Sequence, residues 1–457
     1  MHTTLRRLLV LSLLCALIAA CSSTTGETGG STTTSTTGHS TPAGASTLAP
    51  YPTDTSTHDA CPASLSFAVS CQTPQSMRIA YGIEPLIQKG YTGQGQTIVD
   101  IVSFGSPTLQ QDINVFDRQF GLPPITIPQI SPIHEPVYDP HNDRAGWGDE
   151  TTLDVEIMHA LAPGAKIVVL VSPVAETEGT IGLPEFRQLL QYTIDHKLGN
   201  IVSNSWGASE MTLKDAKGRA EIEKWDALFK QATTQDGITL LASSGDNGAT
   251  DYADVQESKL STTPTTSFPN DDPWVVSVGG TSLRRDGRSF DEVAWNSGIG
   301  SASGGGFSQF YAEPSYQKTL PASVQSLAKG RRGVPDVAGN ADPNTGLAMY
   351  EAGSWSMAGG TSASTPMWAA LVAIANQMAG HPLGFINPAL YTIASSAHYS
   401  RDFHDITVGN NTVTTQGVQV QGYSAGPGWD PVTGLGTPNA VTLLPDLIAA
   451  ANSSSSG

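Results

Sequence analysis

The stretch AGGTSASTP, residues 358–366, sets Ser362 behind a glycine pair and just ahead of an apolar run, 368–378. The pattern changes there from short extended runs to helical periodicity, and Pro366 suits a first helical turn. A hydroxyl at the mouth of a helix meets free backbone N–H groups and the positive end of the helix dipole. Both favour negative charge on an attacked carbonyl oxygen. Gly359 and Gly360 leave room for a substrate backbone. The plain alternative is a buried Ser-rich turn before a core helix, which this stretch alone does not exclude. A nucleophilic serine also needs a base within hydrogen-bond reach. The chain has ten histidines, none in an H-G-x-H context, and His159, in an apolar helical run, reads as structural. A histidine base is therefore missing.

The chain offers a carboxylate pair instead. In GDETTLDVEIMHALAPGA, Glu150 and Asp154 stand four apart near the start of a helix expected over 150–161. That spacing puts both on one face. Leu153, Ile157 and Leu161 form the adjoining apolar stripe, and Pro163-Gly164 ends the helix. Two carboxyls in contact share a proton, so one pKa rises while its neighbour stays low. Such a pair can take the proton of Ser362 in acid, where histidine is already charged. The alternative is an acid-rich first turn that complements the helix dipole.

These groups need a rigid frame. Apolar runs at 97–104, 166–172, 200–206, 238–245 and 274–280 read as buried parallel strands. Helical patterns at 150–161, 184–197 and 210–233 lie between them. This order predicts a single α/β domain, a doubly wound parallel sheet with helices on both faces. Active sites of such sheets lie at the carboxyl ends of the strands. The motifs SNSWG and SSGDNG, the second holding Asp246, fall at such ends. By itself, Asp246 reads as a turn residue.

The composition narrows the partners. With 41 acidic against 23 basic residues the net charge is −18, which disfavours nucleic acid. Arg6, Arg7 and the short apolar run ending in LIAAC read as a signal over 1–20, with small residues before Cys21. This resembles a bacterial lipobox, with Cys21 lipidated as the only membrane contact and the protein held outside the cell. An ordinary secretory signal is the alternative. Residues 21–58 are largely Ser, Thr and Gly and read as a flexible tether. Cys15 leaves with the signal. Cys61 and Cys71, in a linker over 59–74, remain as an even pair, and a disulfide bracing a short loop is plausible. The globular domain spans 75–450, with a disordered tail at 451–457, and a monomer is expected.

In order along the chain stand ETTLDVEIMHALAPGAKI, SNSWG, LASSGDNG, FPNDDPWVVSVGGTSL, SASGGGFS, RGVPDVAGNADPNTG, GGTSAS and AGPGWDPVTGLGTPN. They resemble the blocks of the sedolisins, serine-carboxyl peptidases of subtilisin-like fold that act in acid. The resemblance covers residues 75–447. It implies that Ser362 is the nucleophile, Glu150 the general base, Asp154 the acid that orients it, and Asp246 the acid completing the oxyanion hole. It also implies one structural Ca²⁺ held by Asp405, Asp430 and the carbonyls of Ile406, Gly426 and Gly428. Oxygen-only donors of this kind suit a hard cation. The activity implied is that of an exported endopeptidase acting on proteins or peptides. A tripeptidyl-peptidase on the same scaffold, or a catalytically silent surface binding protein, are the alternatives. Family members carry a domain-sized prosegment, whereas here a tether and short linker lie between Cys21 and Gln75. Latency is then set by pH alone or by a separate chain.

Overall fold

The computed structural model describes residues 46–47, 59–286, 289–298 and 300–454. The expected signal, Cys21, nearly all of the tether and the last three residues lie outside them.

Six strands pair in parallel in the spatial order Val276–Asp286, Thr239–Ser243, Ile201–Asn204, Thr97–Ser103, Lys166–Ser172 and Gln129–Ile130. Antiparallel Ser289–Ala294 and then Ser46–Thr47 extend one side, and Val337–Asn340 adds a further parallel partner to Val276–Asp286. The strands are β-branched and buried on both faces, which is why they read as continuous apolar runs. The chain order reverses around Thr97–Ser103, which has Lys166–Ser172 on one side and Ile201–Asn204 on the other. A crevice at the carboxyl ends follows from that reversal.

Two apolar layers sandwich the sheet. One is built on Leu153, Ile157 and Leu161 of the acid helix, Arg144–Leu161, and on Met367 to Ala375 of the serine helix, Thr361–Ala379. The other is built on Leu183–His196 and Ala216–Thr234 around Phe186, Trp225 and Phe229. The doubly wound α/β architecture is thus as expected. Among the described residues no helix is long and apolar enough to cross a membrane.

Several boundaries differ from expectation. The acid helix begins at Arg144, so Glu150 and Asp154 lie in its interior, beyond the reach of the dipole at its first turn. The helix expected over 210–233 is split. A 3₁₀ turn, Glu210–Leu213, precedes an α-helix that starts at Ala216, because Asp215 caps it by accepting from the Gly218 N–H at 2.7 Å. Pro366 is the sixth residue of the serine helix, past the first turn. The 59–74 segment is packed on the body and does not behave as a free linker. Cys61 and Cys71 are bonded, the Ser70 N–H donates to the Asn344 carbonyl at 3.1 Å, and Gln72 is fully buried. At the far end, Ala440–Ser454 carries helix four residues into the expected tail.

Candidate active site

The acid helix and the serine helix pack against each other on one face of the sheet. The Ser362 hydroxyl stands beside the Glu150 carboxyl and favours its ionised form. Glu150 keeps some surface at the cleft, yet its Oε1 is buried and has no donor. One turn on, Asp154 is fully buried, and its Oδ1 accepts from the Ser205 hydroxyl at 2.8 Å. Ser205 follows the last residue of the strand Ile201–Asn204, at its carboxyl end. Its Oγ also lies 3.5 Å from the Ser362 carbonyl. That carbonyl is open for a reason found in the sequence. Its helical partner would be the N–H of residue 366, and proline has none.

Asp246 follows the strand Thr239–Ser243 and reaches the start of the serine helix. Its Oδ1 accepts from the Thr361 N–H at 2.7 Å and the Thr361 hydroxyl at 2.9 Å. With Oδ1 so engaged, Oδ2 is the oxygen left to carry a proton. The Ser362 N–H lies in the first turn of the helix, where backbone donors have no intrahelical acceptor. Between the two runs Gly360, at φ +80°, where a Cβ would collide with the Asp246 carboxylate. Only glycine allows that approach.

Burial sets the protonation of these groups. Glu150 is raised by desolvation, opposed by the Ser362 hydroxyl beside it and reinforced by the charges of Asp246 and Asp100. Asp154 is raised well above the carboxylate range by burial, then by Asp100 and Glu150. Asp246 is also raised by burial, with both Thr361 hydrogen bonds pulling the other way. The expected split, one acid high and its neighbour low, gives way to elevation of both. Both are desolvated, and none of the groups bearing most on them is a cation. The carboxyls titrate as a unit, so the first negative charge is solvated by neighbouring acid and hydroxyl groups and a second is resisted.

Sequence reading passed over three residues here. Ser205 lay inside a quoted motif without a role, and Thr361 inside another. Asp100 was hidden in a strand that reads as apolar, TIVDIVS, and is fully buried beside Asp154. A carboxylate in a strand otherwise rich in Ile and Val is the signal that marks it.

The five residues expected around calcium also converge. Both oxygens of Asp405 accept from the Gly428 N–H, at 3.1 and 3.0 Å. Asp430 accepts from the N–H groups of Gly426, Val432 and Thr433. Two carboxylates thus share one loop, and no cationic side chain is among the groups that bear on them. Among the described residues no backbone N–H takes the carbonyls of Ile406, Gly426 or Gly428. Two acids with free carbonyl oxygens fit a hard divalent cation. This loop is tied to the cleft. Ser303 Oγ donates to the Val432 carbonyl at 2.7 Å, and the neighbouring Ala302 N–H donates to the Asp246 carbonyl at 2.9 Å.

A serine at a helix mouth, a carboxyl on its hydroxyl and a second acid one turn behind define a serine-carboxyl arrangement on a doubly wound sheet. Comparison with known proteins agrees with that description. Residues 142–392 match the Subtilase family. Kumamolisin of Bacillus sp. (strain MN-32) is 37% identical over 393 residues, covering 85% of this chain and 66% of that protein. Tripeptidyl-peptidase 1 of Canis lupus familiaris is 33% identical over 321 residues, 67% of this chain and 53% of that protein. The solved structure of Pseudomonas sedolisin, a serine-carboxyl proteinase complexed with pseudo-iodotyrostatin, superposes with a TM-score of 0.68 at 26% identity. It covers 82% of this chain and 98% of that one. The chain belongs to the subtilase family of serine peptidases, in its sedolisin branch. It spans about two thirds of the length of kumamolisin and about half that of tripeptidyl-peptidase 1.

Proposed function

We propose that the protein is an exported, acid-active endopeptidase that cleaves peptide bonds through Ser362, Glu150 and Asp154. The observation that carries this reading is the placement of the Ser362 hydroxyl beside the desolvated Glu150 carboxyl, with Asp154 one turn behind and no histidine among the groups that bear on Glu150. Ser362 Oγ attacks the scissile carbonyl carbon as its proton passes to Glu150. The tetrahedral oxyanion takes hydrogen bonds from the protonated Asp246 carboxyl and the Ser362 N–H. One such donor contributes about 10²–10³ in rate. Glu150 returns the proton to the departing amine, leaving an acyl-serine ester. Water then attacks that ester, giving its proton to Glu150, which passes it to the departing Ser362 oxygen as the acid product leaves. Asp246 must be neutral to donate, so activity belongs to the acid side of its titration.

Calcium fits the Asp405–Asp430 loop, where it would neutralise two acids and stiffen the path through Ser303 to Asp246. Export rests on the signal-like residues 1–20, and tethering on Cys21 as the lipidated residue. Cys21→Ser, releasing the protein from the membrane fraction into the medium, is the expected sign of that anchor.

The test is cleavage of a denatured protein from pH 2 to 8, beside Ser362→Ala. Activity confined to acid and lost in the variant is expected, with internal peptides as products. Release of tripeptides alone would favour the exopeptidase. A peak near neutral pH that survives Ser362→Ala overturns the reading.

A further inference from the structure

The strand Thr97–Ser103 sends Ile98 and Val102 into the apolar layer under the acid helix, with Asp100 between them on the same face. Asp100 is fully buried, and neither of its oxygens meets an N–H or O–H donor. Asp154 Oδ2 is equally without a donor. Beside Asp100, in register on the next strand, stands Ser203, whose buried hydroxyl also lacks a partner. On the other side the register neighbour is Val169. The groups that face Asp100 are therefore Asp154 and Glu150 from the acid helix and Ser203 from the sheet. No Lys, Arg or His is among those that bear on it.

Asp100 and Asp154 interact directly, and with no outside donor on Asp154 Oδ2 or on either Asp100 oxygen, a proton held between the two carboxyls satisfies them. Stability gives no reason for Asp at this position, because a valine or leucine there would avoid the desolvation of a carboxyl. We propose that Asp100 is a positioning residue of the peptidase site: it shares one proton with Asp154, and so keeps Asp154 protonated and oriented while Glu150 takes and returns the serine proton. No proton leaves the Asp100–Asp154 pair during turnover, and the serine proton shuttles only between Ser362, Glu150 and the leaving amine or water. The charge that Asp100 places near Glu150 also raises the basicity of Glu150. This inference rests on the peptidase reading above.

Two variants separate positioning from packing. Asp100→Val removes the carboxyl and suits the surrounding strand. Asp100→Asn keeps the shape but cannot share an acidic proton. Positioning predicts that Asp100→Val unfolds at the same or a higher temperature while kcat falls at least about tenfold with KM unchanged. Both variants should shift the acidic limb of the pH profile downward, by about one pH unit, because a charge that raises Glu150 is gone. Wild-type kcat and an unmoved profile in a folded Asp100→Val protein would overturn the inference. A second readout does not depend on turnover. In Ser362→Ala, an infrared carboxylic-acid C=O band that persists to pH 7 should vanish with either Asp100→Asn or Asp154→Asn. Its survival in Asp100→Asn overturns the shared proton whether or not the protein is a peptidase. Absence of Ser362-dependent cleavage in the wild type counts against the peptidase reading alone.

Discussion

Asp246 gives the sharpest test of why this site should work in acid. Its Oδ1 is fixed as an acceptor by the Thr361 N–H and hydroxyl, at 2.7 and 2.9 Å. In the proposed mechanism a proton on Oδ2 makes that oxygen a donor to the oxyanion, and its loss turns the same oxygen into a repelling charge. Asp246→Asn keeps the size and the acceptor and replaces the titrating O–H with an amide N–H that never ionises. In the wild type, each pH unit above the Asp246 pKa removes the neutral form tenfold. In Asp246→Asn that penalty is absent. The variant should lose at most about tenfold at the acid optimum and overtake the wild type as pH rises toward 8. Asp246→Ala removes the donor altogether and strands the two Thr361 donors. It should lose about 10²–10³ in kcat, or roughly 2.7–4 kcal/mol, at every pH. The assay is kcat on one quenched fluorescent peptide from pH 2 to 9 for all three proteins. If Asp246→Asn and wild type decline along the same alkaline limb, Asp246 is not the titrating donor and the oxyanion argument fails.

Other outcomes follow from the same structure. Gly360→Ala should cut kcat by about 10² with little change in peptide affinity, since its Cβ displaces the Asp246 carboxylate; unchanged kcat would show that the approach is not needed. A chelator should lower the unfolding temperature of the wild type but not of Asp430→Asn. Saturating calcium at a hundredfold its Kd corresponds to about 2.7 kcal/mol. Stability should be greatest near pH 4 and decline toward pH 8, measured as Tm across a buffer series. Burial raises Asp272 and Glu351 to about 7, so their folded forms favour the proton. Such raised acids stabilise fully below their unfolded pKa, near 4, and that stability is lost as pH climbs through 7 to 8. A Tm that rises steadily from pH 4 to 8 would contradict this.

Local pattern made much of this legible. Buried parallel strands announce themselves as Val- and Ile-rich runs, and the alternation with helices leaves few topologies. Glu150 and Asp154 declared a shared helical face by spacing alone, although the true start at Arg144 was masked by glycines at 146 and 148. What stayed hidden was non-local. Nothing in TIVDIVS says that Asp100 faces Asp154, because strand-to-helix packing decides it. Ser205 and Pro366 are 161 positions apart (366 − 205), yet the missing N–H of one opens the carbonyl that the other approaches. The packing of 59–74 was equally unreadable, since its partners lie near 344 and 283.

The dispersal of the site over the chain has a bearing on how such a protein is made. Asp100 comes from a central strand, Glu150 and Asp154 from one helix, Asp246 from a loop, and Ser362 from a helix of the last third. Domains begin folding from the N-terminal end during synthesis. A nascent chain of between about 246 and 361 residues therefore holds the acids without Ser362. Ser362 joins them only when the serine helix docks on the acid helix, a contact that needs most of the sheet in place. Cutting power thus arrives as the final act of assembly. Half-made chains, which expose the most cleavable segments, have no active copy of themselves to digest their neighbours.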